Sequence, residues 1–209
     1  MDILSALRGR RSINFFDPSR AVSAEMIDEI LRVANLSPSS FNLQPWEVVA
    51  VDDPERKSVL RKCASNQQKV EEASVMLIII ANPNAIEENM DRVLDAQVRL
   101  GYATRESAEK SRSGPAMRHG PPDSVARKIF AVKNASFFGM SIMAAARGFG
   151  LETHPMDGFD ENAVKNEFGI PTDRIIPLLI AVGYLKPGIS LLPRAFRREL
   201  DEFVHRNRY

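Results

Sequence analysis

The polar side chains of residues 37–46 give the strongest indication of chemistry in this chain. The segment places three hydroxyls and two carboxamides between a predicted helix and a predicted strand, and it contains no glycine. Pro38 and Pro45 hold its backbone extended. Hydroxyl and carboxamide groups both donate and accept hydrogen bonds, so the segment suits a bound polar ring system with several nitrogens and oxygens. Taken alone, the segment is better explained as a solvated loop.

Three further segments fit other parts of such a ligand. The guanidinium and hydroxyl groups of Arg10-Arg11-Ser12, followed by Asn14, match the geometry of a phosphate. Asn66 and Lys69 offer a carboxamide and an ammonium that could meet a carbonyl–imide edge. Residues 154–159 are predicted to form a turn whose free backbone N–H groups could donate to a flat ring. Each segment alone is also typical of a solvated surface.

Other kinds of site have little support in the sequence. The three histidines are scattered and have no second His or Cys at ligand spacing, which argues against a metal site. The sequence has no Gly-x-Ser-x-Gly elbow for a hydrolase nucleophile. Gly148-Phe149-Gly150 ends a predicted helix, whereas a dinucleotide fingerprint opens one. Cys63 is predicted to be a buried structural thiol.

Composition limits the class of protein. A chain of 209 residues with 44% hydrophobic residues can form one domain around a real core. The formal net charge of +1 argues against a bulk nucleic-acid binder. One cysteine excludes an internal disulfide and favours a reducing compartment. The longest apolar stretch, residues 175–185, is too short to span a bilayer. We therefore expect a soluble cytoplasmic protein with no membrane partner.

The elements that must position these side chains can be predicted from caps and periodicity. Ser23, Asp53 and Asp160 are predicted to cap helices, and continuous apolar runs predict strands. The order of elements predicts a layered α/β sandwich of about four strands with helices on both faces. The predicted helices cover residues 2–8, 24–36, 54–64, 84–109, 124–147 and 160–169, and the predicted strands cover residues 46–51, 75–81, 151–153 and 175–184.

Two segments are predicted to lie outside this framework. Residues 111–123 are rich in glycine and proline and are the best candidate for a mobile loop or lid. Residues 186–209 form a basic, weakly structured tail.

In the order and spacing of these segments the sequence resembles the nitroreductase family of flavin-mononucleotide (FMN) enzymes, over nearly the whole chain. Each marker is weak alone, but five in the right order are strong. The markers are Arg10-Arg11-Ser12-x-Asn14, Pro38-Ser39-Ser40-x-Asn42-x-Gln44-Pro45-Trp46, Asn66-x-x-Lys69, Pro155-Met156-Asp157-Gly158-Phe159, and the strand end Gly183-Tyr184 with the arginine-rich tail from Arg194 to Arg198.

The resemblance implies a single α+β domain over residues 1–209, built as a three-layer α/β/α sandwich with a mostly antiparallel sheet. It also implies an intertwined homodimer with two shared active sites. Residues 84–130 would cover the active site, with Tyr102, Met117, Arg118 and Phe130 as candidate lining groups. The tail, residues 186–209, would wrap the partner subunit.

The resemblance also implies roles for individual residues. The phosphate would be held by Arg10, Arg11 and Ser12 with two tail arginines, Arg194 and Arg197. Asn14 would lie near the ribityl chain or the pyrimidine edge, although this position is often basic in the family. The other implied cofactor contacts come from Pro38, Ser39, Ser40, Asn42 and Gln44 of the partner subunit, from Asn66 and Lys69 at the pyrimidine carbonyls, and from Pro155, Met156, Asp157 and Gly158 near the reactive edge of the flavin.

The function implied is ping-pong transfer of a hydride from diffusing NADH or NADPH, through FMN, to a nitroaromatic, a quinone or a similar small electron-poor acceptor. No acid–base side chain is then obligatory, and no metal is expected. Two alternatives stay open from the sequence. One is a flavin-binding branch with little nicotinamide turnover, such as a dehalogenase-like or flavin-consuming enzyme. The other is a non-redox module that binds a phosphate ligand.

Overall fold

The computed structural model describes residues 2–209. Its framework is one sheet of four strands in the order β1-β2-β4-β3, and every neighbouring pair is antiparallel. The strands are β1 (Trp46–Val51), β2 (Val75–Ala81), β3 (Glu152–Met156) and β4 (Ile175–Gly183).

Nine α-helices surround the sheet within the described residues. The helices are α1 (Ile3–Gly9), α2 (Ala24–Ala34), α3 (Pro54–Cys63), α4 (Lys69–Glu72), α5 (Ala85–Arg99), α6 (Arg105–Ser111), α7 (Gly114–His119), α8 (Val125–Gly148) and α9 (Glu161–Phe168). Two 3-10 turns, Ser40–Asn42 and Leu200–Glu202, lie in the connections.

Strand β2 divides the core into two layers because its side chains alternate between the faces of the sheet. Leu77 and Ile79 face a cluster that includes residues of α2, α5 and α8. Met76 and Ile78 face a second cluster with residues of α3 and α9. All seven residues of β2 are buried, as its continuous apolar run predicts. The three-layer arrangement with an antiparallel sheet confirms the predicted fold class.

Local signals explain where the predicted helices begin. The side chains of Ser23, Asp53 and Asp160 each accept a hydrogen bond from a backbone N–H in the first turn of α2, α3 and α9. Gly183 is the last residue of β4, at a position where a Cβ would lie 3.0 Å from the ring of Phe16 and 3.1 Å from the Ser74 nitrogen. The close approach explains the glycine in that marker.

Three predicted boundaries differ from the structure. The helix predicted over residues 84–109 is two helices, because Gly101 takes a positive φ of 78° and Thr104 caps α6. The predicted loop at residues 111–123 contains α7, which opens on Gly114-Pro115. The predicted turn at residues 154–159 begins later, since His154 to Met156 belong to β3.

Helix α8 is the central helix of the first layer. Among residues 2–209 it is the one helix long and apolar enough to cross a membrane, but half of its apolar stretch is buried inside the protein. Phe130, Phe138 and Ile142 pack in the first cluster. This burial favours a core helix over a membrane span.

Replacing Ser124 by alanine should lower the free energy of unfolding by about 1 kcal/mol, the usual cost of losing an N-cap. The Ser124 hydroxyl accepts from the Arg127 N–H at 3.2 Å and donates to the Pro121 carbonyl at 2.7 Å, so it joins α8 to the end of the α7 connection. Urea unfolding measures the change. Ser136→Ala is the matched control, because this exposed serine bonds only within α8. Equal stability of the two variants would contradict the role given to Ser124.

Candidate functional site

Four of the five marker segments, all except residues 38–46, meet at one end of the sheet, beside β3. The backbone at Ser12 bridges to Thr153, and the Ile13 N–H donates to the Thr153 carbonyl at 3.3 Å. This pairing carries the N-terminal segment along the outer edge of β3. It therefore brings the residues around Arg10 next to the residues that precede Gly158.

The ammonium of Lys69 is the centre of this region. It donates to the Asn14 Oδ1 at 2.8 Å and lies 3.3 Å from the His154 Nε2. Burial lowers the pKa of Lys69. The sequence places Lys69 and Asn14 in separate segments, so their direct contact supports the hypothesis that the two segments serve one site.

The side chain of His154 supports this arrangement, a role that the sequence does not indicate although residues 154–159 form one of the candidate segments. Its Nδ1 lies 2.7 Å from the Ile13 carbonyl, which can only accept, so Nδ1 carries the proton and donates. In the neutral ring Nε2 then has a free lone pair for the Lys69 ammonium. Burial lowers the pKa of His154, and the positive charges of Lys69 and Arg10 lower it further, against the opposing effect of the Ile13 bond. The imidazole is thus held neutral beside the ammonium.

The lowered pKa of His154 predicts a pH-dependent contribution to stability. A group whose folded pKa is depressed contributes stability that is complete above its unfolded pKa, about 6.5 for His, and is lost as the pH falls through the folded value. Urea unfolding at about pH 7.5 and about pH 5 should therefore show a larger acid loss for the wild type than for His154→Gln. His119 and the carboxylates titrate in both proteins and cancel in the comparison. Equal acid losses would contradict the assignment.

A cluster of guanidinium groups lies next to this centre. Burial lowers the pKa of Arg10, and the neighbouring charges of Arg194, Arg197 and Arg11 lower it further. Among residues 2–209, none of these four arginines has a carboxylate within 4.0 Å. The nearby carboxylate of Glu152 forms an ion pair with Arg147. Like charges gathered without an anion are unfavourable, and a bound phosphate would relieve their repulsion.

The tail is tied to this cluster through backbone carbonyls. Arg11 donates to the Leu192 and Pro193 carbonyls at 2.8 and 3.1 Å. Arg194 donates to the Arg8 and Arg10 carbonyls. Arg197 has carbonyl partners within the tail itself. The two tail arginines singled out from the sequence thus lie close to Arg10, as a shared phosphate site requires.

The segment after β3 presents backbone donors. No acceptor within the described residues takes a hydrogen bond from the N–H of Asp157 or Gly158. Gln67 donates to the Gly158 carbonyl at 3.0 Å, and a Cβ at Gly158 would lie 3.1 Å from the same amide. The side chain of Met156 packs in the second cluster, so only its backbone faces the site. Pro155, half-buried, precedes it in β3.

Asn66 lies at the rim of the same region with an exposed side chain. Its φ is 55°, and its carbonyl accepts from the Arg61 Nε at 3.1 Å. The preceding residue, Ser65, also has a positive φ of 54°. Such strained backbone clusters at ligand sites. The same strain recurs at Phe41, Asn42 and Gln44. Four of the six non-glycine residues with positive φ in residues 2–209 therefore lie in two candidate segments, and a fifth, Ser65, directly precedes one of them.

The segment from Pro38 to Gln44 lies apart from all of these residues. It is fixed by α8, because the Ser40 N–H donates to Asn134 Oδ1 at 3.0 Å and the Ser37 hydroxyl donates to Ser141 at 2.6 Å. The Ser39 hydroxyl accepts from the Gln44 N–H at 2.9 Å. Buried Asn134 is a second residue that sequence reasoning missed, since an asparagine inside an apolar helix gave no signal of a loop contact.

The predicted site residues thus fall into two groups. Half-site one is defined as Arg10, Arg11, Ser12, Asn14, Asn66, Lys69, Pro155, Met156, Asp157, Gly158, Arg194 and Arg197, and half-site two as Pro38, Ser39, Ser40, Asn42 and Gln44. Within residues 2–209, no hydrogen bond between side chains joins the two groups. The cavities that reach Pro38, Ser40, Asn42 and Gln44 include none of half-site one. One chain therefore carries both groups on separate surfaces.

The amino-acid sequence matches one protein family over most of its length. Residues 7–184 match the sequence model of the nitroreductase family. An NADH dehydrogenase of Thermus thermophilus is 34% identical over 186 residues, 88% of this chain and 87% of that protein. An oxygen-insensitive NAD(P)H nitroreductase of Salmonella typhimurium is 29% identical over 184 residues, 81% of this chain and 82% of that protein.

Solved structures share the fold. A protein from Exiguobacterium sibiricum that was solved in complex with FMN superposes with a TM-score of 0.87 at 26% identity, over 98% of this chain and 97% of the other. A nitroreductase-like protein from Streptococcus mutans also gives a TM-score of 0.87 at 26% identity, over 97% of this chain and 96% of the other.

Proposed function

Because the chain belongs to the nitroreductase family, we propose that it is an FMN-dependent oxidoreductase that takes reducing equivalents from NADH or NADPH. Its acceptors are small electron-poor molecules such as nitroaromatics or quinones. The observation that carries the proposal is half-site one, where guanidinium groups without a carboxylate partner lie beside a half-buried ammonium and free backbone N–H donors. A phosphate joined to a polar ring satisfies all three kinds of donor.

The residues of half-site one have the donor chemistry that FMN requires. Arg10, Arg11 and Ser12, with Arg194 and Arg197, would hold the phosphate. No carboxylate forms an ion pair with these arginines, and nearby Glu152, which is paired with Arg147, offsets only part of their charge; this is the physical reason why the anion fits.

The remaining residues of half-site one would bind the ring. Asn14, Asn66 and Lys69 would meet the carbonyl edge of the pyrimidine. The backbone N–H groups of Asp157 and Gly158 would donate hydrogen bonds to the reactive edge of the flavin ring. Bound FMN would supply the chemistry, taking up a hydride from the nicotinamide and passing electrons to the acceptor.

The protein then has three tasks: to bind the ring, to tune its potential and to shape the open face. The fixed ammonium of Lys69 favours negative charge on the ring and makes reduction easier. A nicotinamide donor and an oxidising acceptor would use the open face in turn, which is a ping-pong sequence. No histidine or cysteine needs to act as acid or base.

We propose that the active unit is a homodimer in which half-site two of one chain completes half-site one of its partner. The exposed apolar surface supports this. Ile3, Leu36 and Phe149 line a mostly apolar cavity of about 440 Å³ that reaches Pro38. Leu192 and Phe196 of the tail are 81% and 79% exposed in the single chain. Burying such side chains against a second copy is favourable. Sedimentation of a flavin-replete monomer would contradict the shared site.

We further propose that residues 84–130 cover the active site and that residues 186–209 wrap the partner subunit. Helix α7 faces the Ser40–Phe41 segment across a cavity, and Gly114 and Arg118 of α7 line that cavity. The tail meets residues 8–11 in both directions: the Arg194 side chain donates to the Arg8 and Arg10 carbonyls, and the Leu192 and Pro193 carbonyls accept from the Arg11 side chain. With one cysteine and no disulfide to maintain, the enzyme would work in the cytoplasm.

The first test is the visible spectrum of the purified protein, followed by anaerobic addition of NADH and of NADPH. The proposal expects a yellow protein that either donor bleaches and that a nitroaromatic or quinone reoxidises. A colourless protein that takes up no added FMN would overturn the proposal. A yellow protein that neither donor bleaches would favour a flavin-binding branch without nicotinamide turnover.

A further inference from the structure

A cavity of about 440 Å³ lies between half-site two and helix α7. It is separate from the residues of half-site one. Its walls combine aromatic and basic side chains, and the lining residues are Ser40, Phe41, Gly114, Arg118, His119 and Lys133.

The charges around this cavity are unbalanced. Arg118 and Lys133 form no ion pair with any carboxylate in residues 2–209, whereas the nearby Arg112 and Arg127 are both paired. Between Glu109 and Glu152 the sequence contains a single acidic residue, Asp123. The same stretch contains seven basic residues: Lys110, Arg112, Arg118, Arg127, Lys128, Lys133 and Arg147. The cavity is therefore electropositive and suits an anion.

His119 adds an uncharged donor and an aromatic wall. Its ring stacks on Phe130 with the centroids 4.4 Å apart, and it meets the Phe41 ring edge-on at 6.1 Å. Its Nε2 is shielded from solvent and has no partner among the described residues. Burial lowers the pKa of His119, and the charges of Lys133, Arg118 and Arg127 lower it further. A neutral imidazole donates from whichever ring nitrogen carries its proton, and a ligand oxygen would give the ring the hydrogen-bond partner that it lacks among the described residues.

We propose that this cavity is an anion-recognising subsite, in which Arg118 and Lys133, with His119, bind a carboxylate or phosphate group on the molecule that occupies the open face of the flavin. The inference rests on the proposed function, because Ser40 and Phe41 adjoin the flavin only when half-site two completes the partner's site. The aromatic walls fit a planar ring, so the acceptor class is aromatic acids. A nicotinamide donor offers the same chemistry through its phosphates.

Paired substrates separate the two sources of the anion. For the acceptor, kcat/KM is compared for 4-nitrobenzoate and its neutral counterpart 4-nitrobenzamide. For the donor, anaerobic flavin reduction is compared for NADH and 1-benzyl-1,4-dihydronicotinamide, which has no phosphate. Arg118→Gln and Lys133→Gln should each lower the charged-to-neutral ratio by about tenfold, the usual effect of one charge-assisted hydrogen bond. Lys128→Gln is the matched control, since this exposed residue of α8 does not line the cavity.

The outcomes are distinct. A lower ratio for the acceptor pair assigns the subsite to aromatic acids, and a lower ratio for the donor pair assigns it to the nicotinamide phosphates. Ratios that stay at the wild-type value in both pairs would overturn the inference while leaving the proposed function intact.

Direct binding supplies a readout that does not depend on turnover. The chain has only three histidines, so the His119 ring signals can be assigned by NMR with His154→Gln and His205→Gln. Benzoate should shift them and benzamide should not, and the Arg118→Gln/Lys133→Gln double variant should lose the response. A colourless protein that still responds to benzoate would refute the flavin proposal but keep the anion site. Equal shifts with benzoate and benzamide would refute the anion site.

Discussion

The Arg10→Gln/Arg194→Gln double variant is expected to bind FMN about 100-fold more weakly than the wild type. A hydrogen bond to a charged group contributes about 1.5 kcal/mol or more, and about 1.4 kcal/mol corresponds to a factor of ten in affinity. Two such losses therefore give about two orders of magnitude. The reason is electrostatic, because these guanidinium groups lie near one another without an ion-pair partner, and the nearby Glu152 carboxylate is paired with Arg147.

Quenching of FMN fluorescence on binding to the apoprotein measures this effect. The control is Arg206→Gln, which removes the same charge from the exposed tail beyond the Leu200–Glu202 turn. The control should keep wild-type affinity. If the double variant bound FMN as tightly as the control, the arginine cluster would not be the phosphate site.

The Lys69→Met variant is expected to lower the midpoint potential of the bound flavin by about 30 mV or more. A unit charge about 4 Å away contributes on the order of 4 kcal/mol at an effective dielectric of about 20. Desolvation consumes part of this, and a net effect of about 1.4 kcal/mol corresponds to about 30 mV for two electrons. Methionine keeps the unbranched apolar stem of lysine and removes the charge. Reduction by NADH or NADPH should slow in parallel.

Spectroelectrochemical titration measures the potential. Lys69→Arg should keep the potential near the wild-type value, because the charge remains, and Lys62→Met at an exposed position of α3 should leave the potential unchanged. An unaltered potential in Lys69→Met would remove the tuning role of the ammonium. A loss of FMN binding without a change in the potential would show that Lys69 binds the ring but does not tune its potential.

Much of the fold could be predicted because its signals are local. Ser23, Asp53 and Asp160 cap helices by contacts within one turn. The all-apolar run of β2 reports burial on both faces. The split between α5 and α6 was missed because helix periodicity continues across Gly101, where the backbone takes a positive φ. The residues His154 to Met156, predicted as part of a turn, belong to β3, which can contain Pro155 because it lies at the edge of the sheet.

Less of the candidate site than of the fold could be predicted from the sequence. Residue types suggested a phosphate and a polar ring, but the contacts that join the segments are tertiary. Lys69 meets Asn14 and His154 across separations of 55 and 85 residues, which no local pattern encodes. The assignment of half-site two to a partner chain came from the family resemblance alone. The structure adds the physical ground for it, since the two half-sites lie on separate surfaces of one chain.

The most direct test of the shared site is the FMN content of a purified heterodimer. One chain carries Arg10→Gln/Arg194→Gln, which damages half-site one, and the other carries Asn42→Ala/Gln44→Ala, which damages half-site two. Each variant alone should form homodimers that bind FMN weakly at both sites. In the heterodimer, one site combines the two intact half-sites, so we predict half of the wild-type content of tightly bound FMN. A heterodimer that binds no FMN tightly would show that each site is built within one chain and would contradict the account.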